Sequence, residues 1–414
     1  MRSGEASCQN DAYPTSLWKG LRAWARRYAS PMRPFILLWL FGLCLRTTVL
    51  AVPPVIPMIH QSLALSQAEI GALASLPVLL FSFAAVPGSI LIARFGAFRV
   101  LVGGILLTGL GSALRGAAPD AAMLFAATFV MGIGIAIMQP SLPPVVREWV
   151  PRKIALGTAV YSNGLLMGEA LAASLTIPVV LPLAGGDWRL ALVAWSVPIF
   201  LVALAGMLHQ RGRPAEPMHE KARVWWPDWK SPVTWRLGLI SGGCSSIYFT
   251  TNAFLPDVLH RVGRPELLNP ALSANNWLQI PASLLLLFFP GRLMMRRWPF
   301  MAMGVTFTLA TIGLVLARDA SIVAYSGVIG FCSAFVLTST LALPPMLVDP
   351  HDVPRVSAAM FAIGYLCAIV TPVLGGYLWD VTGLAWTAFV PAGLFGPLMV
   401  VMAAGLEMRP HAAA

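Results

Sequence analysis

Long apolar runs recur along this sequence and restrict what it can fold into. Each run extends over about 20 residues or more and carries almost no charge, and most are separated from the next by a short polar turn. A helix of about 20 residues crosses the hydrocarbon core of a bilayer. Because a backbone in lipid must satisfy its own hydrogen bonds, these runs are expected to be helical. The sequence therefore predicts an all-α integral membrane protein with the lipid bilayer as its surroundings.

Composition and charge placement agree with that expectation. Hydrophobic residues make up 57% of the 414 positions and charged residues 11%, whereas soluble domains are about 25% charged. The net charge of +11 comes from cations that lie between the apolar runs. They do not form a basic patch with interleaved aromatic residues, so we expect no nucleic-acid partner.

Twelve runs are predicted to span the membrane, and they are numbered here spans 1 to 12. Their predicted ranges are 34–58, 68–93, 98–117, 121–146, 153–183, 188–209, 233–259, 271–295, 299–317, 320–346, 355–379 and 384–406. The predicted organisation is a tail (1–33), a first six-helix half (34–209), a polar linker (210–232), a second six-helix half (233–406) and a second tail (407–414).

The distribution of Lys and Arg predicts the orientation. Of 28 such residues, 22 fall in the two tails and in the loops after even-numbered spans, five fall in the opposite loops, and Arg46 lies inside span 1. Cytoplasmic loops collect Lys and Arg. We therefore expect both termini in the cytoplasm and the chain in a bacterial inner membrane. We also expect a monomer.

The two halves resemble each other at an offset near 200 residues. "PGSILIARFG" at Pro87 corresponds to "PGRLMMRRWP" at Pro290, and "SLPPVV" at Ser141 corresponds to "ALPPML" at Ala342. Matches in the same order and between the same numbered spans indicate a duplication. Two six-helix repeats around a central pathway are typical of secondary transporters.

The repeated Pro-Gly turns with Arg94 and Arg297, together with the six-plus-six arrangement, resemble the major facilitator superfamily. "LCLRTTV", "GSALRGAAPD", "GIGIAIMQPSLPPVV" and "ALGTAVYSNGLLMGEALAASL" resemble its cyanate and 2-nitroimidazole permease branch. Arg94 and Gly96 fit the family's loop after span 2, but Ala93 stands where the family usually has an aspartate. Gly168 is followed by Glu169 and not by the proline of the antiporter motif.

The resemblance implies a secondary active transporter that works by alternating access, with protons and a small-molecule solute as its partners. A cyanate-like or nitroimidazole-like solute and proton-coupled import are expected. The alternative is proton-driven efflux of toxic organic compounds, against which the missing antiporter motif counts. The loop residues Arg94, Gly96 and Arg297 are expected to act in gating.

Arg46 is the most informative single residue. A charge at the bilayer centre costs about 3 kcal/mol on insertion scales, so a lone arginine there indicates function. Its planar fork of donors suits a carboxylate, cyanate or nitro group. The alternative is a buried ion pair that holds helices together.

Glu169 is the acidic residue placed deep in a span. A buried carboxyl suits a group that takes up and releases a proton during transport. The alternatives are that it neutralises Arg46 or lies at the headgroup level.

Two polar stripes in spans 7 and 8 are predicted to line the pathway, since their members repeat on one helical face. The alternative is ordinary hydrogen bonding between helices. The stripes consist of Ser245, Tyr248 and Asn252, and of Asn276, Gln279 and Ser283.

Three polar residues of the first half, Gln139, Tyr161 and Asn163, are further candidates for solute contact. Arg115 is expected to anchor a loop, and Tyr365 to pack or to contact solute. The sequence has no GK dipeptide for a Walker A loop, and its six histidines fall near span ends or in loops. We therefore expect no cofactor, no metal and no enzymatic activity.

Overall fold

The computed structural model describes residues 32–65, 67–83, 85–210, 226–289 and 293–408, and the described chain is helical throughout its spans. The tails and most of the linker predicted from the sequence lie outside these ranges. The first half is built from Arg33–Leu50 and Ile56–Leu63 (span 1), Gln67–Phe83 and Ala85–Phe95 (span 2), Ala97–Gly116 (span 3), Ala121–Met138 and Leu142–Trp149 (span 4), Ile154–Leu175 (span 5) and Trp188–Gln210 (span 6).

The second half repeats this arrangement. It is built from Pro232–Val262 (span 7), Leu268–Trp277 and Gln279–Phe288 (span 8), Arg297–Leu316 (span 9), Ser321–Leu347 (span 10), Val353–Thr382 (span 11) and Phe395–Gly405 (span 12). Twelve crossings return the chain to its starting side. We call that side, where odd-numbered spans begin, the terminal side.

Length and apolar composition identify most of these helices as membrane spans. Nine described helices pass on both criteria, and a tenth is the pair Leu76–Phe83 and Val86–Phe95, which bends by 57°. Spans 7 and 8 are more polar, because they carry the two stripes predicted to face a pathway. The predicted all-α fold of two six-helix halves is confirmed.

Several spans are broken where the sequence weakens the helix. Span 1 is interrupted by a 3-10 turn over Pro53–Val55, and span 4 by another over Gln139–Ser141. Proline removes a backbone donor and crowds the preceding turn, which explains both breaks. In span 8 the helix Gln279–Phe288 is followed by residues 290–292, which lie outside the described residues, and Leu293 and Met294 are again helical.

The packing of the helices repeats between the halves. Span 1 packs on span 5 as span 7 packs on span 11, and spans 3 and 6 pair as spans 9 and 12 do. The halves meet through span 2 against span 11 and through span 5 against span 8. Equivalent spans therefore pack together in each half, so the duplication seen in the sequence is also present in the structure.

Small residues bring spans 1 and 5 into close contact. A Cβ atom on Gly42 would overlap the carbonyl of Tyr161, and one on Gly164 would overlap the carbonyl of Trp39. Close backbone approach at glycine is a common way to pack helices in membranes, where lipid provides no hydrophobic drive. Arg46 follows Gly42 by one helical turn, and Glu169 follows Gly164 by five residues. The tight pair therefore fixes both charged residues relative to each other.

Candidate functional site

A cavity of about 260 Å³ lies between the two halves. It extends from the middle of the bundle toward the side opposite the termini, because its walls come from the central and far parts of the spans. Spans 1, 2 and 5 of the first half and spans 7, 10 and 11 of the second half supply most of the walls. The apolar part of the lining includes Val49, Leu50, Val52, Ile56, Leu73, Leu165, Leu166 and Leu337.

Arg46 lines this cavity from span 1, as a solute-binding role requires. Its Nη2 donates a hydrogen bond of 3.0 Å to the Tyr365 hydroxyl in span 11. The guanidinium carbon lies 5.6 Å from the ring centre of Phe81, within the range of a cation–π interaction. Its Nε is buried, and no described group accepts a hydrogen bond from it. The fork therefore keeps donor capacity for a ligand.

Glu169 lines the same cavity from span 5. Its Oε1 lies 3.2 Å from the hydroxyl of Tyr248, which belongs to span 7 in the other half. The carboxyl is thus in contact with the second half through a neutral partner. A group that can gain a proton faces the space where a solute would bind.

Arg46 and Glu169 share the cavity without forming an ion pair. Both residues are described, and no nitrogen of Arg46 is within 4 Å of an oxygen of Glu169. Direct neutralisation, one of the alternatives from the sequence, is not the arrangement found here. Each charge is instead held by a tyrosine of the second half.

The two polar stripes reach the cavity in part. Tyr248, Asn252 and Gln279 line it, while Asn276 lies beside it and receives a hydrogen bond of 2.8 Å from Tyr248. Gln279 Nε2 lies 3.3 Å from the same Asn276 oxygen. Tyr248, Asn276 and Gln279 therefore form one hydrogen-bonded cluster that joins spans 7 and 8.

Gln139 and Tyr161 lie beneath the cavity, on the terminal side. With Arg46 and Tyr365 they surround a void of only about 10 Å³. Gln139 Nε2 donates to the Tyr365 hydroxyl over 2.9 Å, whereas the buried Tyr161 hydroxyl has no partner among the described groups. In this conformation both residues are too enclosed to touch a solute in the main cavity.

Asn163 joins the halves and does not line the cavity. Its Nδ2 donates to Ser283 Oγ of span 8 over 2.7 Å, and its Oδ1 accepts from Trp39 Nε1 over 2.9 Å. The amide is 8% exposed and both of its polar atoms are used. The geometry fits a contact between halves better than direct solute binding.

Arg115 reaches the cavity wall, a position that the sequence did not predict. It is 2% exposed, and its Nη2 donates to the carbonyl of Thr48 in span 1 over 2.6 Å. Its Nε has no acceptor among the described groups. Arg115 thus places a second positive charge beside the cavity. Its acceptor, Thr48, lies two residues after Arg46 in span 1.

Charge and aromatic surface are divided between the two halves. The charged residues that line the cavity are Arg46, Arg115 and Glu169, which belong to the first half. The aromatic residues that line it belong to spans 7 and 11 of the second half, and they are Tyr248, Phe249, Phe361 and Tyr365.

The terminal side is closed by a contact that the sequence did not reveal. Arg147, at the end of span 4, donates its Nη1 to the carbonyls of Pro345 and Val348 at the end of span 10, over 2.5 and 2.9 Å. These bonds cross between the halves. Because the guanidinium is charged, each of these hydrogen bonds is stronger than one between neutral groups.

The predicted gating residues occupy the loops on that side. Arg94 is exposed at the end of span 2, and Gly96 has a φ of +84°, which lets the chain turn directly into span 3. Arg297 is exposed and donates to the carbonyl of Ala404 in span 12, within its own half, over 2.9 Å. Their gating role remains a prediction.

The chain is similar in sequence to known transporters. A sequence profile of the Major Facilitator Superfamily matches residues 38–274. The 2-nitroimidazole transporter of Escherichia coli K12 is 27% identical over 349 residues, which are 82% of this chain and 86% of that protein. The cyanate transport protein CynX of the same organism is 27% identical over 350 residues, covering 84% and 90%.

An uncharacterized transporter of Bacillus subtilis 168, YycB, is 25% identical over 363 residues, covering 87% of this chain and 89% of that protein. Among solved structures, the transporter FucP in its outward conformation superposes with a TM-score of 0.70 at 13% identity, covering 90% of this chain and 98% of that chain. At that identity the likeness concerns the fold alone.

Proposed function

Because the chain belongs to the major facilitator superfamily, and is therefore a multi-pass membrane transporter and not an enzyme, we propose that it imports a small anionic or polar organic solute together with protons. The two halves would rock around the central cavity so that it faces each side of the membrane in turn. The relatives that carry cyanate and 2-nitroimidazole in their names support a solute of similar size and chemistry.

The single observation that carries this proposal is the arrangement of Arg46 and Glu169 in one cavity without an ion pair. A buried guanidinium that lacks a carboxylate partner is costly. An anionic solute would supply the missing partner. Its binding would use the fork of Arg46 and the positive charge of Arg115.

Proton coupling follows from electrostatics between Glu169 and the solute. An ionised Glu169 repels an anion in the same cavity, and a protonated Glu169 does not. Proton and anion would therefore bind cooperatively, and by linkage each raises the affinity for the other. Coupling energies between two sites are typically about 1–3 kcal/mol.

We place the protein in a bacterial inner membrane with both termini in the cytoplasm, because Lys and Arg collect in the tails and in the loops after even-numbered spans. On this orientation the cavity faces the outside. An importer in this state is ready to receive its solute. The Arg147 contacts with span 10 would have to break before the solute is released inside.

The test is uptake by the purified chain in proteoliposomes, with a panel of small anions and nitroheterocycles and with or without an inward proton gradient. We expect uptake of at least one panel member that the gradient stimulates. Solute leaving against its gradient as protons enter would identify efflux instead. If no panel member moves in either direction, the proposed function is wrong.

A further inference from the structure

The cavity is large for an inorganic ion. Its volume is about 260 Å³, whereas about 10–15 Å³ of such space is enough to hold one water molecule. The cavity therefore has room for many water-sized groups. A triatomic anion at Arg46 would fill only a small part of it. The rest would be water held against leucine, valine and isoleucine side chains, which is unfavourable.

The walls that the second half supplies include four aromatic side chains. Tyr365 stacks on Phe361 with an interplanar angle of 14°, and Tyr248 meets Phe249 edge to face at 83°. All four rings line the cavity. Aromatic side chains bind planar apolar groups by offset stacking and edge-to-face contact. The second half thus presents a surface suited to a planar ring.

The charges indicate how many negative charges the solute carries. With Glu169 ionised, the cavity holds the two positive charges of Arg46 and Arg115 and one negative charge. A bound monoanion with one proton on Glu169 leaves that balance unchanged. The halves then carry the same net charge through the membrane when empty and when loaded. A dianion would change the balance by one unit.

From these observations we propose that the solute is an aromatic or heteroaromatic monoanion. Its anionic head would lie on the Arg46 fork of the first half, and its ring against Tyr248, Phe249, Phe361 and Tyr365 of the second half. This inference rests on the proposed function, because it names the solute class of the same cavity. One proton accompanies each anion.

The class is tested by calorimetric binding to the purified chain and by proteoliposome uptake above protein-free vesicles. The probes are benzoate, terephthalate, acetate, cyanate and 2-nitroimidazole, at a pH low enough to keep the nitroimidazole ring N–H protonated and high enough to keep the carboxylates ionised. We expect benzoate to bind at least tenfold more tightly than each of the other four, and to be taken up with the highest kcat/KM. Tighter binding of any other probe would overturn the proposal.

A change in cavity size provides a second measurement. Val49→Phe and Leu166→Phe each add a ring to the wall from a different span and keep every charge. Each variant should reduce the preference for benzoate over cyanate at least tenfold. Only variants that elute as a monodisperse species are compared with the parent. If the ratio of benzoate affinity to cyanate affinity is unchanged in such a variant, the proposal is contradicted.

The outcomes separate this inference from the proposed function. If cyanate or 2-nitroimidazole is transported and benzoate is not, the aromatic-anion inference is wrong while the transport proposal stands. If none of the probes moves in either direction, both are wrong.

Discussion

The Tyr248 hydroxyl lies 3.2 Å from Glu169 Oε1 and 2.8 Å from Asn276 Oδ1. A tyrosine hydroxyl carries one proton, so it donates to one of the two oxygens at a time. When Glu169 is ionised, the hydroxyl can donate to the carboxylate. When Glu169 is protonated, the carboxyl can donate to the hydroxyl oxygen, and the tyrosine proton then goes to Asn276. Both protonation states are satisfied without moving a side chain.

Glu169→Gln should uncouple transport from protons. The amide keeps the shape of the carboxyl but cannot ionise, so the variant resembles the protonated state at every pH. We expect solute counterflow to persist while stimulation by an inward proton gradient is lost. Uptake with and without the gradient measures this. Glu266→Gln, at an exposed position between spans 7 and 8, is the matched control. Full gradient stimulation in Glu169→Gln would contradict the proton role.

Tyr248→Phe should weaken coupling while keeping the ring on the cavity wall. It leaves Glu169 without its partner in the second half, and an unsatisfied buried polar group costs about 1–3 kcal/mol. We expect a roughly tenfold fall in gradient-driven uptake and a changed pH profile. Tyr377→Phe, on a side chain that is 64% exposed, should behave like the parent. If the pH profile of uptake by Tyr248→Phe is the same as that of the parent, the Tyr248 hydroxyl has no role in coupling.

Arg46 should tolerate neither truncation nor replacement by lysine. Alanine removes the only cation on this face of span 1, so uptake should vanish while the protein is still made. Lysine keeps the charge but not the planar fork. We expect its KM to rise about tenfold or more, because 1.4 kcal/mol of lost binding corresponds to tenfold in affinity. Initial uptake rates over a range of solute concentrations give the residual uptake of Arg46→Ala and the KM of Arg46→Lys. Substantial uptake by Arg46→Ala would rule out a solute-binding role for Arg46.

Arg147→Ala should shift the protein toward the state open on the terminal side. The change removes two charged hydrogen bonds across the halves. Partial exposure weakens them, so we estimate about 1–3 kcal/mol in total. In a background without native cysteines, Leu341→Cys would be labelled faster from the terminal side when Arg147 is also alanine.

Arg152→Ala supplies the comparison for that experiment, since Arg152 is exposed on the same side of the protein. It should leave the labelling rate of Leu341→Cys at the parent value. Equal rates in the Arg147 and Arg152 variants would mean that Arg147 does not hold the terminal side closed.

Gly42→Ala should destabilise the first half. The added methyl group would overlap the Tyr161 carbonyl, and overpacking typically costs about 1–3 kcal/mol. Gly103→Ala is the matched control, because a Cβ there meets nothing within 4 Å. Thermal unfolding in detergent should show a lower Tm for Gly42→Ala alone. A normal Tm would mean that spans 1 and 5 can separate without cost.

The sequence was sufficient to predict the spans, the halves and the two charges inside the membrane. Hydrophobic length and the cost of a buried charge are local properties, so Arg46 and Glu169 stand out in one sequence. Most of the helices follow the apolar runs to within a few residues, whereas the α-helix of span 5 ends at Leu175 and the last helix of span 12 begins only at Phe395, because irregular helical segments complete those two runs.

The partners of those charges could not be predicted in the same way. Tyr365 and Arg46 are separated by 319 residues, and no local signal links them. Arg115 lies at a predicted span end, where an exposed loop position is the ordinary expectation. Arg147 is one of many cations on its side of the membrane, and nothing in the local sequence distinguishes it from the others. Contacts of this kind depend on how the halves pack, which periodicity and composition do not determine.

The division of the cavity between its halves has a consequence for how new solutes can be acquired. On the proposed function, the charged groups that bind the anion and the proton lie on the first repeat, and the phenylalanines that would contact a ring lie on the second. A substitution at Phe249 or Phe361 would therefore alter which solute fits while leaving Arg46, Glu169 and its partner Tyr248 in place. Selectivity can then diversify without loss of energy coupling.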